Sequence, residues 1–116
     1  MTTTVFLALL LLQGKHFLAD FVLQTQWQAE NKGKYGHPAG LVHAGIHAAG
    51  SALVLAPFAP AWMPLLALLA GEFAVHYHVD WTKERLQRRG MPFWHVFGFD
   101  QFLHHASYAV MLFALF

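Results

Sequence analysis

Residues 72–89 read EFAVHYHVDWTKERLQRR. Glu72, His76 and Asp80 stand at successive four-residue steps, and on a helix that spacing stacks their side chains on one face. An apolar run precedes them. Beyond Trp81 the segment becomes basic through Lys83, Arg85, Arg88 and Arg89. One helix thus carries both the polar face of a site and the end of a membrane span. The same step recurs in the three other apolar segments, at His16 and Asp20, at His43 and His47, and at Asp100 and His104.

Composition agrees with a membrane setting. The chain has 116 residues, of which 57% are hydrophobic and only 11% charged, far below the quarter typical of soluble domains. With no cysteine, thiolate metal sites and disulfides are excluded. A net charge of +1 with scattered basic residues gives no case for nucleic acid. Nine histidines are many for this length, and most lie inside apolar segments.

The expected fold is all-α, a single integral membrane domain over 1–116 with helices at about 3–27, 38–58, 63–89 and 93–116, each near the length a bilayer core of about 30 Å requires. In the first helix Gln13, His16, Asp20 and Gln24 form a polar stripe on an apolar background. Lys15 lies about 100° off that stripe, placed to snorkel or to bind an anion. The next segment, Gln28–His37, is polar and carries Lys32 and Lys34, and Pro38 suits a helix's first turn. The second helix is rich in small residues, Gly40, Ala44 and Ala48 on one step and Gly45 and Ala49 on another, which permits close helix approach. Pro57, Pro60 and Pro64 stiffen the uncharged turn that follows. Gly90 is a natural C-terminal cap for the third helix, and Pro92 stops its continuation.

Charge sets the orientation. Lys32, Lys34, Lys83, Arg85, Arg88 and Arg89, six of the seven Lys and Arg, fall at the first and third connections. The positive-inside rule therefore makes 28–37 and 83–92 cytoplasmic and puts both termini on the other side, in a bacterial inner membrane or its equivalent. All four four-residue pairs then share the cytoplasmic half at similar depth.

A charged residue at the centre of a span costs about 2.5–3.5 kcal/mol on insertion scales, so three aspartates and Glu72 need compensation. A bound cation supplies it, because i, i+4 pairs each offer two ligands, as in HExxH. The expected ligands are His16, Asp20, His43, His47, His76, Asp80, Asp100 and His104. Imidazole and carboxylate without thiolate suit Zn first, then Fe, Mn or Ni, rather than Ca or Mg. Eight candidates exceed one coordination sphere, so two divalent ions fit, as does one ion with carboxylates orienting its histidines.

The stretches HFLADFVLQTQWQAENK (16–32), HAGIH (43–47), HYHVDWTK (76–83) and DQFLHH (100–105) together resemble a family of small bacterial and phage integral membrane proteins of unknown function. The resemblance covers nearly the whole chain in the family's order. It implies polar positions at His16, Asp20, Gln24, Trp27, Glu30, Asn31, Lys32, His43, His47, His76, Asp80, Lys83, Asp100, Gln101 and His104. By layout alone the chain is similar to membrane-bound metal-dependent hydrolases, an analogy of fold rather than of site.

The leading functional expectation is a metal-dependent hydrolase at the cytoplasmic interface, acting on a lipid-linked, amphiphilic or phosphoester substrate. Glu72, Asp20, Asp80 or Asp100 would serve as base, and Lys15, Lys83 and Arg85 would hold an anionic headgroup. No GxSxG motif supports a serine nucleophile. The alternative is non-catalytic: metal binding, sensing or ion transport, since intramembrane His and Asp also mark ion paths. The apolar outer halves, Val5–Leu12, Leu53–Phe58 and Val110–Phe116, disfavour a through-path. A third reading is a di-metal oxidoreductase, although ferritin-like sites use Glu-x-x-His, which is absent. Membrane lipids are the expected surroundings, and the apolar exterior leaves a homo-oligomer open.

Overall fold

The computed structural model describes residues 1–116. It contains helices and no strands: α1 (Thr2–Phe17), α2 (Gln26–Asn31), α3 (Pro38–Leu55), α4 (Trp62–Arg88) and α5 (Phe93–Leu115). The four long helices close a ring in which α3 packs on α4, α4 on α5, and α1 on both α3 and α5. The short α2 lies against the start of α3. The bundle measures 44 × 26 × 23 Å.

The first helix departs from the sequence expectation. Instead of running to about residue 27, it widens into a π-helical turn over Leu18–Val22, closed by Leu23 N–H donating to the Leu18 carbonyl at 2.7 Å. The chain then breaks, and α2 occupies residues expected to be helix end and loop. Two side chains fix the break. Gln24 folds back to donate to the Asp20 carbonyl at 2.9 Å. Thr25, extended, accepts from Gln28 N–H at 3.2 Å and caps α2, satisfying a donor that would otherwise be orphaned at the helix start. Hydropathy carries no signal for either event.

Elsewhere the boundaries agree within a few residues. His37 caps α3 through Nδ1, accepting from Ala39 N–H at 3.1 Å, with Pro38 in the first turn. Gly90, at φ +82°, ends α4 in the left-handed conformation that a Cβ disfavours. On α3 the small-residue stripe permits close approach. A Cβ on Gly40 would stand 2.9 Å from both the Lys32 carbonyl and the Tyr77 ring, so this glycine lets the end of α2 and the face of α4 meet on α3.

The interior divides along the bundle axis. One half is an apolar cluster of Ala8, Leu12, Leu55, Leu65, Tyr108, Met111, Leu112 and Leu115. The other is polar, with eleven buried polar or charged residues in the whole chain, Asp20, Asp80, Asp100 and Glu72 among them. The exterior is apolar along both halves: Phe113 and Leu53 are 90% and 81% exposed around the apolar cluster, and Phe102 and Phe21 are 63% and 53% exposed around the polar half. Two helical stretches, Thr2–Val22 and Pro38–Leu55, are long and apolar enough to cross a membrane. Helices α4 and α5 have the length, but their inward polar residues lower their mean hydropathy.

Candidate metal centre

All eight expected ligands meet in the polar half, each no more than 6% exposed. They do not form one uniform shell. Two groups have ligand atoms close enough together to hold a metal ion: Asp20, His43, His47 and His76, and His76, Asp80 and His104. His76 belongs to both. Its ring lies between those of His47 and His104, with centroids 3.8 and 4.1 Å away.

The first group is knit by close polar contacts. His47 Nε2 donates to Asp20 Oδ1 at 2.9 Å. Its Nδ1 faces the Lys15 ammonium at 3.4 Å, which has only donors and so sets Nδ1 as the acceptor. His43 Nε2 also lies 2.9 Å from Asp20 Oδ1. On its far side His43 Nδ1 faces Gln28 Oε1 at 3.4 Å. Asp20 Oδ1 and Gln28 Oε1 both only accept, so they compete for the His43 proton, and the 2.9 Å contact takes it at Nε2 while Gln28 stays at 3.4 Å. The π-helical turn brings Asp20 here, and such turns concentrate at functional sites.

The second group lacks such partners. His76 Nε2, His104 Nε2 and both Asp80 oxygens are buried without a hydrogen bond, as is Asp100 Oδ1. Their separations are 3.3 Å for His76 Nε2 to Asp80 Oδ2 and 3.4 Å for His104 Nε2 to both Asp80 Oδ1 and Asp100 Oδ1. Leaving a buried polar group unmade costs about 1–3 kcal/mol, more for a charge. Converging orphaned imidazole and carboxylate atoms are the donor set a transition metal takes. The residues therefore fit an ion. A cation already stands nearby: Lys32 Nζ lies 3.6 Å from Asp80 Oδ1, 3.9 Å from Asp20 Oδ1 and 3.3 Å from His43 Nε2.

His16 and Asp100, both expected as ligands, lie outside the two groups and join a hydrogen-bonded chain. Lys15 donates to the Tyr108 hydroxyl at 3.0 Å, and that hydroxyl donates to His16 Nδ1 at 2.8 Å. His16 Nε2 then donates to Gln101 Oε1 at 3.0 Å, and Gln101 Nε2 to Asp100 Oδ2 at 3.1 Å. The chain is anchored where Lys15 meets Glu72 Oε1 at 2.8 Å, an oxygen that also accepts from Ser51 at 2.8 Å. Lys15 is thus a buried partner of Glu72 rather than a snorkelling or surface residue. Arg85 stands apart from both groups, its guanidinium 4.8 Å above the Trp81 ring, on a surface groove with Lys34, Arg88 and Arg89.

Ser51, Tyr108, Gln28 and Lys32 were not among the expected ligands or headgroup contacts. The four-residue step could have found three of them, since it continues from His47 to Ser51, from His104 to Tyr108 and from Gln24 to Gln28. Lys32 falls on the same step, four after Gln28, and the family resemblance marks it as polar, but the break after α1 is what turns it towards the centre.

Fold and site together define a small all-helical protein built around a buried histidine–aspartate centre. The chain belongs to the family described as protein of unknown function (DUF3307), which matches it over residues 5–116. No curated protein and no solved structure matches it.

Proposed function

We propose that the chain is a membrane-embedded, metal-dependent hydrolase whose centre opens at the cytoplasmic end of a four-helix transmembrane bundle. The convergence of unpartnered His76, Asp80 and His104 atoms carries the reading, because protein interiors otherwise satisfy such groups. Three features support the membrane setting. The 44 Å long axis equals a bilayer with its headgroup regions, about 40–45 Å. The exterior is apolar where the interior is polar. Trp27 and Trp94 are exposed near the basic connections and Trp62 near the opposite end, as aromatic belts require.

In this reading His76, Asp80 and His104 hold one ion, and Asp20, His43 and His47 hold a second or orient the first. When bound, a divalent transition metal supplies a Lewis acid and a water ionised near neutral pH. Of the carboxylates, Asp100 is the fitting proton acceptor. Gln101 holds its Oδ2, while Oδ1, beside His104, keeps its lone pairs. Glu72 Oε2 is also unpartnered, but Glu72 belongs to neither group, and its charge is matched by Lys15. The apolar cluster closing the other half speaks against a conduit, since ion paths need polar groups throughout.

Metal content by mass spectrometry on detergent-purified protein, followed by a phosphoester, ester and amide panel, tests the reading. The expected result is about one to two equivalents of a transition metal, with hydrolysis lost in Asp100→Asn while the metal stays bound. Folded protein that rebinds no metal, or metal-loaded protein inert across the panel, refutes it.

A further inference from the structure

One opening reaches Asp20. A cavity of about 180 Å³ lies between the π-helical turn, α2, α5 and the end of α4, lined by Asp20, Gln24, Lys32, Lys83, Gln101 and Phe97, among others. No backbone packing joins the π-helical turn or α2 to α5, so the gap is built into the fold. Two ammonium groups face it. Lys32 and Lys83 have side chains 11% and 20% exposed. Each stands near a carboxylate of the centre without a tight bond, Lys32 at 3.6 Å from Asp80 and Lys83 at 3.8 Å from Asp100. Carboxylates committed to a metal would leave both ammonium charges available.

A third group defines the ligand further. Gln24 Nε2 is spent on the Asp20 carbonyl, while Gln24 Oε1 is buried without a partner. A buried amide oxygen without a donor calls for one from a ligand. Two cationic donors and one acceptor together suit an anion that also carries an O–H, as a singly protonated phosphate does; a sulfate or a carboxylate would leave Gln24 unmet.

The rim is aromatic. Phe17 stacks on Phe21 at 6.0 Å, Phe21 meets Phe97 edge-on at 6.3 Å, and Phe97 stacks on Phe93 at 5.6 Å. Phe17, Phe21 and Phe93 are more than half exposed. Lys83 Nζ lies 5.2 Å from the Phe97 ring, so the charged mouth and the apolar rim are contiguous.

We infer that this mouth is a binding site for the phosphate headgroup of an amphiphile, with Lys32, Lys83 and Gln24 holding the phosphate and the Phe21–Phe97 rim taking the start of the apolar chain. The inference names the substrate class of the hydrolase proposed above and rests on that reading. It moves anion recognition from Lys15 and Arg85 to residues that face the opening.

Alkyl phosphonates test it, because their C–P bond is not hydrolysed and binding registers without turnover. Titration calorimetry would compare hexylphosphonate with methylphosphonate on full-length protein in maltoside micelles, with protein-free micelles as reference. Metal content read on the same samples keeps a failure of the metal reading separate from a failure of this one. The expected result is hexylphosphonate binding at least about tenfold tighter than methylphosphonate, from burial of the added methylenes. Lys83→Met and Gln24→Leu should each weaken it about tenfold at unchanged metal content. Lys83→Arg should retain binding and Arg85→Met should leave it unaltered. Equal affinity for the two phosphonates would reduce the ligand to free phosphate and overturn the amphiphile. Unchanged affinity in Lys83→Met and Gln24→Leu, or an equal loss in Arg85→Met, would overturn the site.

Discussion

Asp20 and Asp80 are two aspartates in one buried centre, both facing histidines, and they are held differently. Asp20 takes contacts of 2.9 Å from His43 and His47 on one oxygen, and His16 Nε2 stands 3.2 Å from the other. Asp80 has His43, His76 and His104 around it at 3.3 to 3.6 Å and no hydrogen bond on either oxygen. The first arrangement resembles a structural hydrogen-bond node. The second has the form of a ligand set. Identical residue types in one interior are thus partnered to different degrees, Asp20 by short contacts and Asp80 by looser ones that include the Lys32 ammonium at 3.6 Å, and the looser set leaves more lone-pair capacity for an ion.

Substituting the shared residue breaks the comparison most severely. His76→Ala removes a ligand atom from both groups and should abolish metal binding, read as metal content falling to background while circular dichroism keeps its helical signal. Retained stoichiometric metal would separate the two groups.

Next come the aspartates themselves, compared in metal-free protein by denaturant or thermal unfolding in detergent. Asp20→Asn removes the charge that His43 and His47 address and should destabilise by about 1.5–3 kcal/mol, the range for hydrogen bonds to charged groups. Asp80→Asn removes a carboxylate whose partners His76, His104 and Lys32 stand no closer than 3.3 Å; it should cost less apo stability than Asp20→Asn, yet lower metal affinity about a hundredfold or more. Matching losses of apo stability would make the two aspartates equivalent.

Lys32→Met sharpens it. The ammonium stands among the Asp80, Asp20 and His43 atoms that an ion would use, so removing it should tighten metal binding about tenfold through lost like-charge repulsion. A competition assay with a chromophoric chelator reads this directly, and weaker binding would make Lys32 a supporting residue instead. The smallest effect belongs to Tyr108→Phe. It cuts the Lys15–Tyr108–His16 chain and should cost about 1 kcal/mol, with metal content unaltered.

Much of this centre was legible in the chain because helical periodicity is a local property. His43 and His47, or Asp100 and His104, must share a helix face wherever the helix goes. Exclusion of charge from apolar surroundings then demands that such faces meet. The same reasoning continued by one step reaches Ser51 and Tyr108. Between Asp20 and Lys32 the step persists in the sequence, but the helix face it assumes does not. There a π-helical turn, a folded-back Gln24 and a Thr25 cap redirect the backbone, and each depends on hydrogen bonds that hydropathy does not encode.

The sequence by itself therefore determined an all-helical chain with four polar faces at matching depth, an apolar exterior, and an imidazole–carboxylate chemistry without thiolate. Tertiary structure decided the rest. It put His76 between two groups, gave Asp20 short histidine contacts and Asp80 only looser ones, drew His16 and Asp100 into a hydrogen-bonded chain, packed Lys15 against Glu72 and brought Lys32 from a connection into the centre. The physical reason is one of scale. Spacing along a helix fixes which face a side chain occupies to within a turn, but a ligand differs from a hydrogen-bond partner by a few tenths of an ångström and the direction of a lone pair, and only the packing of separate helices sets those.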